Sequence, residues 1–100
     1  MLESDAALYG LGVIVNERPM IVFVDDEQEV LVGLRNRLRR QRRVWDMHFA
    51  NSGAEAKSCM AEAGFDVVVT DMRMPVMDGA ALLEHVHGVA PNTVRIVLSG

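Results

Sequence analysis

The sequence predicts an α/β domain in which a parallel β-sheet is doubly wound. Two observations lead to this fold class. Short apolar runs that end on polar residues alternate along the chain with segments of helical periodicity. Connections of this length join parallel strands through right-handed crossovers, which places helices on both faces of the sheet. The chain has 100 residues, 50% of them hydrophobic, and a formal net charge of -4, which is typical of one compact domain.

Continuous apolar runs predict strands that are buried on both faces of a parallel sheet. The predicted strands, in chain order, are residues 20–24, 44–50, 67–69 and 93–98. The first strand leads into Asp25 and Asp26, the third leads into Asp71, and the fourth leads into Ser99. Polar side chains therefore close three of the four predicted strands.

Three helices are predicted between these strands. The first carries apolar residues at helical spacing, namely Val30, Leu31, Leu34 and Leu38. The second begins at Ser52, where Glu55 completes a capping box, and Gly64 marks its expected end. The third spans residues 79–89 and stops before Pro91. The predicted order is β-α-β-α-β-α-β.

The polar residues at the strand ends predict the functional site. The carboxyl ends of parallel strands meet at one edge, so we expect Asp25, Asp26, Asp71 and Ser99 to lie close together. Neighbouring carboxylates repel one another unless a divalent cation neutralises them, and oxygen ligands favour Mg²⁺, which commonly also binds phosphate. A carboxylate can attack phosphorus, which makes Asp71 the candidate nucleophile. The alternative to a metal site is that these acids cap helices. Capping explains one acid per helix, but it does not explain the pair Asp25 and Asp26 together with Asp71.

Two motifs resemble those of a known family, the receiver domains of two-component response regulators. The stretch Val-Phe-Val-Asp-Asp-Glu at residues 22–27 is similar to the first strand and acid pair of the family. The stretch Asp-Met-Arg-Met-Pro-Val-Met-Asp-Gly at residues 71–79 is similar to its phosphorylation loop, and Ser99 lies where the family carries a switch Ser or Thr. The resemblance covers residues 19–100. It implies a flavodoxin-like sheet with strand order 2-1-3-4.

The resemblance also implies a role for each residue of the motifs. It implies that Asp71 accepts a phosphoryl group from a histidine kinase, and that Ser99 bonds a phosphate oxygen as part of a conformational switch. It implies that Mg²⁺ is held by Asp26, Asp71 and the backbone carbonyl of Arg73, with Asp25 acting through a metal-bound water. The remaining motif residues would shape the loop and start the third helix: Met74, Pro75, Asp78 and Gly79.

The sequence departs from the family pattern at its C-terminal end. The expectation is a truncated receiver domain, because the family's fifth strand and fifth helix have no counterpart in residues 19–100. The phosphate-binding lysine of the family is also missing, since Lys57 falls in the second predicted helix. The fourth strand would then be an uncovered edge, and we expect residues 8–15 or a second copy of the chain to pair there. The alternative is that residues 1–18 form a flexible extension.

Several function classes remain open at this stage. The leading hypothesis is a phosphoacceptor switch without enzymatic turnover beyond its own phosphorylation and dephosphorylation, whose effector is a further domain or a partner protein. A second is a receiver-like interaction module that is not phosphorylated. A third is a metal-dependent phosphohydrolase. Enzymes of that class usually place the nucleophile and the general acid two residues apart at the end of the first strand. Asp25, Asp26 and Glu27 do not match that arrangement well.

Composition excludes other classes. No apolar run approaches the roughly 18 residues of a membrane helix, and the acidic balance argues against non-specific nucleic-acid binding. Six arginines lie within residues 35–43, where they form either a solvated helix end or a surface for an acidic partner. Cys59 is the single cysteine, which suits a reducing compartment, and the expected location is the cytoplasm.

Overall fold

The computed structural model describes residues 18–98, which form a four-stranded parallel sheet with helices on both faces. The strands are β1 (Met20–Val24), β2 (Asp46–Ala50), β3 (Val67–Asp71) and β4 (Val94–Leu98). The helices are α1 (Gln28–Arg37), α2 (Gly53–Glu62) and α3 (Gly79–Val89), with a 3₁₀ helix (Arg39–Arg43) between α1 and β2. All strand pairs are parallel in the order β2-β1-β3-β4, which confirms the predicted fold class and strand order.

Alternate residues of the central strands supply two separate hydrophobic cores. On one face, Val22 and Val68 are completely buried beneath Leu82 of α3. On the other face, Ile21 and Phe23 contact the buried Leu31 of α1. Side chains of a strand point alternately to opposite faces, so a strand that is apolar at every position needs a helix on each side.

Side-chain caps fix the starts of α2 and α3. Ser52 Oγ accepts a hydrogen bond from the Glu55 backbone N–H at 3.0 Å, and the Glu55 carboxylate accepts from the Asn51 N–H at 2.6 Å. An Asp78 oxygen accepts from the Ala81 N–H at 2.8 Å. The predicted starts of both helices are confirmed. The predicted end of α2 is also confirmed, because the helix ends at Glu62 with Ala63 as its C-cap, and Gly64 is the residue just beyond the cap.

Two details of the predicted elements are wrong. Strand β2 begins at Asp46, because the arginine-rich segment turns through the 3₁₀ helix and Gln41 O accepts from the N–H groups of Val44 and Trp45. Val30 does not join the core stripe of α1 and is 37% exposed. It lies in the first turn of the helix and lines the open cavity beside Asp25, Asp26 and Asp71.

Strand β4 is an edge strand whose apolar side chains lack a covering helix among the described residues. Its register pairs Val94 with Val67 and Ile96 with Val69, so these side chains share the face of the sheet on which α1 packs. Val94, Ile96 and Leu98 remain 55%, 41% and 47% exposed. Strand β4 is thus the edge of the sheet among residues 18–98, as predicted, while residues 1–17 and Ser99, including the predicted pairing of residues 8–15, lie outside the described residues.

No helix within residues 18–98 is long and apolar enough to cross a membrane.

Candidate functional site

Three carboxylates meet at the carboxyl ends of β1 and β3. The register pairs Val24 with Thr70, so Asp25 and Asp71 follow side by side on adjacent strands. One oxygen each of Asp25, Asp26 and Asp71 lies within 4.8 Å of the others. The predicted convergence of these three residues is confirmed. The cause is the one the sequence indicates, namely that parallel strands deliver their end residues to a common edge.

Backbone hydrogen bonds hold Asp25 in place. Its N–H donates to the Ala50 carbonyl at 3.1 Å, which extends the β1–β2 ladder by one residue. Its side chain accepts from the Glu27 N–H at 2.9 Å, which turns the chain toward α1. The backbone and the carboxylate of Asp25 are thus each held by one hydrogen bond.

The local environment raises the pKa of the Asp25 carboxyl. Burial is the largest cause, and the negative charges of Asp71 and Asp26 act in the same direction, while the Glu27 N–H partly opposes them. All of the raising causes disfavour the charged carboxylate. A divalent cation among the three oxygens would reverse this balance.

The carboxylates line an open cavity of about 600 Å³. The other lining residues are Glu27, Val30, Met72 and Arg73. The donor set consists of hard carboxylate oxygens in a space that also admits water, which fits Mg²⁺ with its preference for few protein ligands and several waters. Arg73 is the only cationic side chain that lines the cavity within residues 18–98, and Lys57 instead lines a separate pocket between α2 and α3.

The β3–α3 loop is held against the end of β3 by Gly79. The Gly79 N–H donates to the Met72 carbonyl at 2.8 Å. A Cβ atom at this position would overlap the Asp71 carbonyl oxygen and approach Met72 Cα to 2.9 Å. Met74 is 8% exposed and anchors the loop in the α2–α3 core, whereas Pro75 is exposed. Glycine is therefore required for the close approach of α3 to the Asp71 backbone.

Val76 at the tip of this loop has a backbone conformation that the sequence does not indicate. Its φ is 67°, in the left-handed region that β-branched residues rarely adopt. The Met77 N–H donates to the Pro75 carbonyl at 2.7 Å across Val76, which closes a strained γ-turn. The side chain is fully exposed, so no packing within the described residues compensates for this strain.

Comparison with known proteins identifies the family to which this fold belongs. The response regulator receiver domain family matches residues 21–100. The chain belongs to this family. This confirms the resemblance seen in the two motifs, and it makes the protein a regulatory domain of the kind used in two-component signalling.

Curated relatives of this receiver domain occur in larger proteins. The chain is 39% identical over 82 residues to the sensor kinase CckA of Brucella abortus, covering 80% of this chain and 8% of that protein. It is 32% identical over 81 residues to the transcriptional regulatory protein PrrA of Mycobacterium leprae, covering 81% of this chain and 34% of that protein. The chain thus spans 8% and 34% of the length of these two relatives.

Solved receiver domains share the architecture described above. The signal receiver domain of an HD domain-containing protein from Pseudomonas fluorescens Pf-5 has a TM-score of 0.79 at 33% identity, covering 84% of this chain and 66% of that chain. A response regulator receiver domain protein from Clostridium thermocellum has a TM-score of 0.74 at 28% identity, covering 82% of this chain and 65% of that chain.

Proposed function

We propose that this receiver domain accepts a phosphoryl group on Asp71 from a histidine kinase. The observation that carries the proposal is the convergence of three carboxylates within 4.8 Å at the open end of the sheet. An Asp71 oxygen attacks phosphorus, the bond between phosphorus and the donor imidazole breaks, and the imidazole leaves with the bonding pair. The product is an acyl phosphate, the form in which a carboxylate nucleophile holds phosphate.

The surrounding residues support this chemistry in distinct ways. Asp26, Asp71 and the backbone carbonyl of Arg73 are the proposed Mg²⁺ ligands, with Asp25 acting through water. The metal would neutralise charge on the transferring group. Arg73 lines the same cavity, and among residues 18–98 its guanidinium is the cation that lies near the proposed phosphate position. Ser99 is the proposed partner of a phosphate oxygen.

Phosphorylation would act as a conformational switch rather than as a turnover reaction. A phosphoryl group on Asp71 adds charge at the start of the β3–α3 loop, whose Val76 is already strained, and so biases the loop between two arrangements. A partner protein or a further domain would respond to this change. We also propose a cytoplasmic location, which suits the single free thiol of Cys59.

Intact-mass measurement with Mg²⁺ and a small acyl-phosphate donor tests the phosphoacceptor. The wild-type chain should gain one phosphoryl group, and Asp71→Asn should gain none because its amide is not a nucleophile. Asp46→Asn is the matched control, since Asp46 lies at the opposite end of the sheet and should leave labelling intact. Equal labelling of wild type and Asp71→Asn would overturn the proposal.

Strand β4 favours a second candidate function, an interaction module that dimerises through its edge. Val94, Ile96 and Leu98 offer an apolar strip along a strand edge that has no neighbour within residues 18–98, and such edges recruit further strands. Light scattering should show a concentration-dependent dimer for the wild type and a monomer for Ile96→Lys. Val89→Lys, at an exposed position of α3, should dimerise like the wild type. A wild-type monomer at all concentrations would exclude this function.

A further inference from the structure

A basic groove runs along the free edge of β2 and has no part in the acidic site. We call it the arginine groove. It has a volume of about 330 Å³ and is lined by Arg18, Arg35 and Arg42 together with five consecutive residues: Trp45, Asp46, Met47, His48 and Phe49. None of these residues lines the acidic cavity. The proposed phosphoacceptor function does not use this groove.

Three arginines give the groove its basic character, and within residues 18–98 they form no salt bridge. Two of them, Arg35 and Arg42, belong to a run of six arginines with no acidic residue between positions 35 and 43. Within residues 18–98, no carboxylate lies within salt-bridge distance of an arginine, and the carboxylate contact that does occur joins Asp46 to His48 at 3.2 Å. The guanidinium groups of the groove thus keep their charge available to an external anion.

Two contacts hold arginine side chains in position in the groove. The Arg35 guanidinium lies 4.7 Å from the centre of the Phe49 ring, and that ring in turn stacks on Phe23 at 5.3 Å. Arg18 Nη1 donates to the Arg42 carbonyl at 2.8 Å. Stacking occupies the face of the Arg35 guanidinium and leaves its N–H groups at the edge free to bind a carboxylate.

The backbone of β2 adds a second set of unpaired groups. Asp46 N–H donates to the Pro19 carbonyl, and the Ala50 carbonyl accepts from Asp25 N–H. Alternate residues of a parallel strand direct their backbone groups to opposite sides. Met47 and Phe49 therefore turn their N–H and C=O groups away from β1, toward the groove, where β2 has no neighbouring strand within residues 18–98.

We propose that the arginine groove binds an extended acidic segment of a partner protein as an added strand. The partner backbone would pair with Met47 and Phe49, and its acidic side chains would reach Arg35 and Arg42 on the α1 face. Main-chain bonds supply affinity in this mode of recognition, and alternate side chains supply specificity. Asp46 and His48 also line the groove but alternate with Met47 and Phe49 along the strand. His48 lies against Phe65 and contacts the Asp46 carboxylate at 3.2 Å, which occupies that acidic group.

The fluorescence of Trp45 provides the test, because it is the single tryptophan of the chain and lines the groove. The probe is a peptide of about ten residues that alternates glutamate and valine, so that its acids share one face. It should change the emission of the full chain, whereas a lysine-valine peptide should not. Arg35→Gln with Arg42→Gln should weaken binding about tenfold.

Two controls separate strand pairing from simple charge attraction. Arg37→Gln with Arg39→Gln removes the same charge outside the groove and should weaken binding much less. A peptide N-methylated at alternate residues keeps its charge but cannot pair with an edge strand, and it should not bind. The proposal would be overturned if the two arginine pairs had equal effects or if the methylated peptide bound fully. It would also be overturned if pyrophosphate displaced the peptide at matched ionic strength, or if the peptide did not bind at all.

Discussion

Asp25 links the electrostatics of the acidic site to the stability of the fold. Its pKa is raised above the ordinary value of 3.8 by burial and by the charges of Asp71 and Asp26. Between the unfolded and the raised folded pKa the native state binds the extra proton, so stability falls as pH rises through this interval. At neutral pH the ionised Asp25 carboxylate therefore lowers the stability of the metal-free fold.

Asp25→Asn should raise the urea midpoint of the metal-free protein at pH 7. The amide removes the charge, and its oxygen can still accept the Glu27 N–H bond of the wild type. The advantage should shrink as pH falls toward 3.8, where the wild-type carboxyl gains its proton. Urea unfolding in EDTA at several pH values measures this, with Glu84→Gln at an exposed position of α3 as control. A midpoint equal to or below that of the wild type at pH 7 would contradict the prediction.

Gly79 and Gly88 allow a second test at the scale of single residues. A Cβ on Gly79 meets the Asp71 backbone, whereas a Cβ on Gly88 in the same helix meets no atom within 4 Å. Gly79→Ala should lower the free energy of unfolding by about 1–3 kcal/mol through overpacking. Gly88→Ala should raise it by roughly 0.5–1 kcal/mol through helix propensity. Urea unfolding of both variants checks the signs, and a neutral Gly79→Ala would contradict the close approach.

At the scale of elements, how well the sequence predicts a boundary depends on how local its physical cause is. Strand β1 and helix α3 match their predictions because an apolar run and a capping aspartate are local signals. The start of β2 is missed because the charged 3₁₀ helix carries no apolar period. The three-aspartate site is predictable because each acid closes a parallel strand. The arginine groove is not, since only the folded chain brings Arg18 to Arg42.

The β3–α3 loop contains the strained element that the sequence does not reveal. Val76 adopts a φ of 67° although valine disfavours it, and such a conformation costs on the order of 1–3 kcal/mol. Val76→Asn should therefore stabilise the fold by about 1 kcal/mol, because asparagine tolerates the left-handed region. Val44→Asn is the control, an exposed valine with φ of -117°, and should be nearly neutral. Urea midpoints of the two variants measure the difference, and an equal response would contradict strain at Val76.

At the scale of the whole molecule, an acidic cluster and a basic groove lie at different places on the sheet. Acids gather at the carboxyl ends of β1 and β3, and arginines gather along α1, the 3₁₀ helix and the edge of β2. The two sheet edges differ as well, since β2 is bordered by arginines while β4 presents valine, isoleucine and leucine. Each edge therefore suits a different partner, an acidic segment at β2 and an apolar surface at β4.

Mg²⁺ should stabilise the entire domain, because it binds a site that exists only when β1 and β3 are paired. A ligand at a hundredfold excess over its Kd adds about 2.7 kcal/mol to the free energy of unfolding. For a domain of this size each kcal/mol raises Tm by roughly 4–8 °C. Thermal unfolding in Mg²⁺ and in EDTA, at matched ionic strength, should show this rise for the wild type and for Asp46→Asn.

Asp26→Asn should lose the Mg²⁺-dependent rise in Tm, since it removes one of the three carboxylates whose oxygens lie within 4.8 Å of one another. Its Tm in EDTA should stay at or above that of the wild type, because one of the repelling charges is gone. This pairing of results distinguishes a lost ligand from a damaged fold. An equal rise in Asp26→Asn and the wild type would mean that Mg²⁺ acts elsewhere on the molecule, and the three aspartates would then require another explanation.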